Sequence, residues 1–71
     1  MITGRQIREA RKSLGWTQRE LALKAKVTIS VVVRAENSPG EPVIKIVKGN
    51  VLLSVLRTAG VNLPADNEAT D

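Results

Sequence analysis

Two reciprocal helix-start signals within the first 21 residues leave this chain little choice of fold class. Thr3 is a good N-cap, and Gln6, three residues on, can return the hydrogen bond to it. Ile2 and Ile7 flank that pair as a hydrophobic staple, which sets how the chain enters the helix. Thr17 and Glu20 repeat the box, and Trp16 and Leu21 repeat the staple. Between them Ile7, Ala10, Arg11 and Leu14 share one helical face, and Gly15 is a natural left-handed end. Leu21, Ala22 and Ala25 give the second helix a narrow apolar stripe.

A third helix is expected over about 28–36, with Thr28 as its N-cap and Val27 and Val32 as its staple. The run Val31-Val32-Val33 favours a strand on propensity. The segment is short, follows a cap and must lie against a helix whose contact face is Ala22 and Ala25, so helix wins. Asn37-Ser38-Pro39-Gly40-Glu41-Pro42 is turn chemistry throughout. The β-branched residues Val43, Ile44, Ile46 and Val47 then suggest a short extended piece over 43–47, with Lys45 and Lys48 left in water. Gly49-Asn50 restarts a helix with Asn50 as its N-cap, Leu52, Leu53, Leu56 and Ala59 on one face, and Gly60 at its end. Val61-Asn62-Leu63 alternates and would pair with 43–47, within the chain or from a second subunit. Residues 1–63 read as one domain and 64–71 as a disordered acidic tail.

The length and composition narrow the function classes. Seventy-one residues allow one domain with a marginal core, so a homodimer sharing core would be unsurprising. There is no cysteine for a disulfide or thiolate metal site, and no histidine to serve as metal ligand or general base. The four serines, Ser13, Ser30, Ser38 and Ser54, have no base to activate them, no glycine-rich phosphate loop is present, and no carboxylates pair on one face. An enzyme is not expected, nor a metal, a cofactor or a small-molecule ligand. No apolar run approaches the ~20 residues that span a bilayer, and MITGRQIREARK is charged too early for a signal peptide, so a cytoplasmic, nucleoid-associated protein is expected. All eleven Lys and Arg lie between Arg5 and Arg57, while PADNEATD at the end carries three acids and no base. Residues 1–63 thus set eleven positive charges against four negative ones, a balance suited to a polyanionic partner.

Two helices that cross closely near a turn need a small residue at the contact, and Ala22 supplies it. Leu21, Ala25, Val27, Val32 and Ala35 fall where the crossing would bury them. On a basic chain, Thr17 to Asn37 is most economically a helix-turn-helix that binds DNA. Gln18, in the first turn of its first helix, can grip a phosphate with side chain and backbone N–H together. Thr28, Ile29, Ser30, Val33 and Arg34 would face outward from the second helix, with Arg19 and Lys26 as phosphate neighbours.

The lead-in IREARKSLGWTQRELA and the close RAEN resemble the XRE-type helix-turn-helix family, the lambdoid phage repressor and Cro fold. The resemblance covers about residues 4–37, and 50–60 more loosely as a terminal helix. It implies an all-α, compact four- to five-helix lambda-repressor-like domain, here with short extended pieces at 43–47 and 61–63. It also implies phosphate contact by Gln18, base-edge contact by Thr28, Ile29, Ser30 and Val33, and a structural pairing of Arg11 with Glu36. The TGxQIRxAR and LGWTQ pieces, with Ala59-Gly60-Val61 at the end, look like short bacterial or phage-like regulators of that family.

Two departures stand out. Lys26 occupies a turn position that is often glycine, and Ile29, Val31 and Val33 make the reading face unusually apolar. The expectation is therefore a sequence-specific double-stranded DNA-binding transcriptional regulator, a repressor, acting as a homodimer on a pseudo-palindromic operator. The runner-up readings are a protein-interaction module such as an antitoxin or adaptor on the same fold, and a non-specific architectural DNA binder.

Overall fold

The computed structural model describes residues 2–38 and 40–63. It contains four α-helices and one short 3₁₀ turn: α1 Gly4–Ser13, α2 Gln18–Ala25, α3 Ile29–Glu36, the 3₁₀ turn Val43–Lys45, and α4 Gly49–Thr58. The all-α expectation holds; the expected acidic tail lies outside the described residues.

Local capping chemistry places the first two helices. Thr3 N donates to Gln6 Oε1 at 2.9 Å. At α2 both halves of the box are made: Glu20 N donates to Thr17 Oγ1 at 3.1 Å, and Thr17 N donates to Glu20 Oε1 at 2.8 Å. Gly15 takes φ +72° after α1, the left-handed conformation glycine adopts without strain. Lys26 takes φ 58° and ψ 41° after α2, so a lysine does adopt the conformation usually left to glycine. Thr28 precedes α3, but its hydroxyl makes no capping bond and lies 3.4 Å from Ser30 Oγ, so the cap expected of its side chain is not formed.

The staple residues Ile2, Ile7, Leu21 and Val32 meet Ala10, Ala22, Ala25 and Ala35 in the core, closed by Val43, Ile46, Leu52, Leu53 and Leu56. Small residues set the closest approaches. A Cβ on Gly4 would stand 1.9 Å from the Ala35 backbone oxygen, so the start of α1 rests directly on the end of α3.

The second half departs from the sequence reading in three places. Residues 43–47 are not extended and do not pair with 61–63. Val43 N donates to Ile2 O at 2.8 Å, and the chain turns so that Val43 and Ile46, three apart, both reach the core. Ile44 and Val47 are left exposed, the period of a tight helical turn rather than a strand. Among the described residues the one β-bridge is Thr3 with Pro42. Val61 N instead folds back to Leu56 O at 3.1 Å.

Asn50 is not the N-cap of α4. The helix begins at Gly49, preceded by Lys48 at φ 62°, because Gly49 packs against Val43, whose oxygen would lie 1.9 Å from an added Cβ. Ala59 is exposed at the C-cap rather than on the buried face, which ends with Leu56.

Candidate nucleic-acid interface

A single buried carboxylate organises the support of this surface. Glu36, the last residue of α3, is 2 % exposed, and Arg11 of α1 is 9 % exposed. Arg11 Nε donates to Glu36 Oε2 at 2.6 Å and Arg11 Nη2 to Glu36 Oε1 at 3.0 Å, a two-pronged pair. Arg11 Nη1 also donates to the Trp16 carbonyl at 2.8 Å, tying α1 to the link before α2. The hydrogen bond and charge of Glu36 hold the Arg11 pKa above its ordinary value, against the opposing effect of burial. Arg8 Nη2 adds a bond to the Glu36 backbone oxygen at 3.2 Å. The Arg11–Glu36 tie is formed, and with the Trp16 bond it joins α1, α3 and the link before α2.

Gln18 takes part in the same network. Its Nε2 donates to Glu36 Oε1 at 3.2 Å, so its side chain is half-buried and fastened rather than free. The first-turn backbone N–H groups of α2, at Gln18 and Arg19, have no intrahelical partner and point out of the helix start. Arg19 is exposed beside them.

On α3, Thr28, Ser30 and Arg34 are exposed, Ile29 is 45 % exposed, and Val33 is half-buried. Val31 is different: it packs against the hydrophobic core and does not belong to the outward face. The apolar part of that face is therefore Ile29 and Val33 alone, four residues apart on one side of the helix. Lys26, exposed in its left-handed turn, stands just before this helix. The start of α2 meets α3 at its far end, where Gln18 reaches Glu36.

Asn37 was not singled out from sequence, although the signal was there: it follows Arg34 by three and Val33 by four. It is exposed and shares with Arg5, Arg8 and Glu36 a groove of about 460 Å³ at the end of α3. A second groove, about 410 Å³, lies between Trp16, Lys24, Ser54, Val55, Thr58 and Ala59. There Trp16 is partly buried against the core, with Lys24 Nζ 4.9 Å from its ring centre. Among the described residues no group of three or more acids, histidines or cysteines could hold a metal, and no helix is long and apolar enough to cross a membrane.

A helix-turn-helix family model matches residues 7–48, more than half of the chain. The chain belongs to the XRE-type helix-turn-helix family and carries its DNA-binding regulator domain. The matched span runs from α1 through the 3₁₀ turn and stops before α4. No curated protein and no solved structure gives a match.

Proposed function

We propose that this chain is a sequence-specific regulator of transcription that acts as a repressor by occupying double-stranded DNA. The outward face of α3 carries the reading: Thr28, Ile29, Ser30 and Arg34 are exposed, and Val33, half-buried, stays outside the core cluster. Helix α3 enters the major groove, and α2 lies across the backbone with its first-turn N–H groups on a phosphate. Gln18 contributes its backbone N–H and one remaining amide hydrogen, since its other interaction is already with Glu36. Arg19 and Lys26 add phosphate charge, and Arg34 reaches a base edge or a phosphate.

The domain measures 34 × 22 × 17 Å. At ~3.4 Å per base pair one copy covers at most about ten base pairs. A homodimer on a pseudo-palindrome, with half-sites ~34 Å apart, supplies the length an operator needs. Val51 and Val55 of α4, only partly buried, and the exposed Val47 are the apolar side chains offered to that contact.

Selection of bound sequences from random double-stranded DNA tests the proposal. The expected product is a two-fold-related site preferred over random DNA by ~10³ or more at fixed salt. A flat sequence preference would instead identify an architectural binder. The adaptor reading draws on Leu23, 71 % exposed on α2. If it holds, Arg34→Ala leaves partner binding intact, and no DNA complex forms at micromolar protein.

A further inference from the structure

The pair Ile29 and Val33 is what the core leaves over on α3. Val31 and Val32 turn inward, to the edge and the centre of the core, as do Ala35 and Glu36. Ile29 keeps nearly half its surface in water, and Val33, half-buried, is not part of the core cluster. Their neighbours on the same face are hydroxyls and a guanidinium: Thr28, Ser30 and Arg34. Apolar contact flanked by cationic and polar groups fits a surface that is itself apolar in spots and anionic around them. The major groove offers one such apolar spot per A·T pair, the thymine C5-methyl, set between phosphate rows.

We infer that Ile29 and Val33 form a thymine-methyl reader, and that the operator carries thymines at two defined positions. This rests on the DNA-binding reading proposed above. Residues four apart are separated by about 6 Å along a helix axis, from ~1.5 Å per residue. Base pairs rise ~3.4 Å, so a helix running along the groove sets its two apolar side chains one to two base-pair steps apart. Arg34, next to Val33, then supplies the polar discrimination beside the second methyl. Such a site is defined by shape and methyl contact at two steps and by a single strong donor, unlike a face lined with amides.

Replacement of thymine by deoxyuridine removes the methyl and nothing else. The experiment takes the sequence selected from random DNA and replaces each thymine in turn, with affinity read by fluorescence anisotropy on the full chain. Two positions per half-site, no more than two steps apart, are expected to lose about three- to fivefold in affinity, the worth of one buried carbon. With Ile29→Ser one of these losses disappears, and with Val33→Ser the other does, since a serine hydroxyl offers the methyl no apolar partner. Circular dichroism melting confirms that both variants stay folded. Equal binding of thymine and deoxyuridine at every position, by protein that binds the selected site well, overturns the methyl reader and leaves the regulator proposal standing. Failure to bind any DNA overturns both.

Discussion

Lys26 and Glu36 each do a task that their residue type makes costly. A non-glycine residue in the left-handed region carries roughly 1–2 kcal/mol of steric cost, and Lys26 sits there at φ 58°. Lys26→Gly is expected to raise stability by about 0.5–1 kcal/mol, after the extra unfolded-state freedom of glycine is subtracted. If Lys26 neighbours a phosphate as proposed, the same substitution lowers DNA affinity; urea midpoints and anisotropy titrations read the two effects separately. Glu36→Ala leaves the Arg11 guanidinium buried without its partner, which costs about 3–5 kcal/mol, a large share of what so small a domain has. Pairing it with Arg11→Met is expected to recover much of that loss in a double-mutant cycle measured by denaturant unfolding. Because the Arg11 pKa is raised, its stabilisation is complete below its unfolded value and is lost only as pH rises through the still higher folded one. The arginine therefore stays charged across the range in which proteins are ordinarily studied, and the tie is not a pH switch from that side.

At the scale of elements, the starts of α1 and α2 were legible because capping is local chemistry. Thr17 and Glu20 satisfy each other three residues apart, and no distant contact is needed to read them. The 3₁₀ turn was not legible, because its conformation depends on Ile2, far back in the chain, accepting the Val43 N–H. The Gln18–Glu36 bond spans 18 residues and closes only once α2 and α3 have packed. The position of Val31 likewise follows from helix rotation against the core, so the reading face is less apolar than Ile29, Val31 and Val33 together would make it. The start of α4 at Gly49 is the same kind of case, set by the Val43 oxygen rather than by Asn50. Gly49→Ala is expected to push α4 off the 3₁₀ turn and cost about 1–3 kcal/mol, as overpacking does. Asn50→Ala, at an exposed position inside the helix, is expected to change stability by under about 0.5 kcal/mol. Thermal melts of the two variants side by side check the assignment of the helix start.

For the whole molecule, charge and size decide how the domain would meet DNA. Affinity built on phosphate contacts falls with salt by a slope of about 0.9 per phosphate neutralised. Arg19→Ala and Lys26→Ala are each expected to reduce that slope by about one while weakening all sequences alike. In free solution, sedimentation equilibrium is expected to give twice the 7.7 kDa chain mass at high concentration. A monomer mass throughout would remove the dimer from the proposal and leave the single-domain contact intact.

The central claim is that one continuous face, the start of α2 and the outward side of α3, is what meets DNA. Backbone amide chemical shifts followed by NMR as the selected duplex is added test it most directly. The expected result is that perturbations concentrate at Gln18, Arg19, Lys26 and Thr28 to Arg34, while Leu53 and Leu56 in the core stay still. Perturbations centred instead on Trp16, Lys24 and Val55, with α3 unchanged, would contradict it.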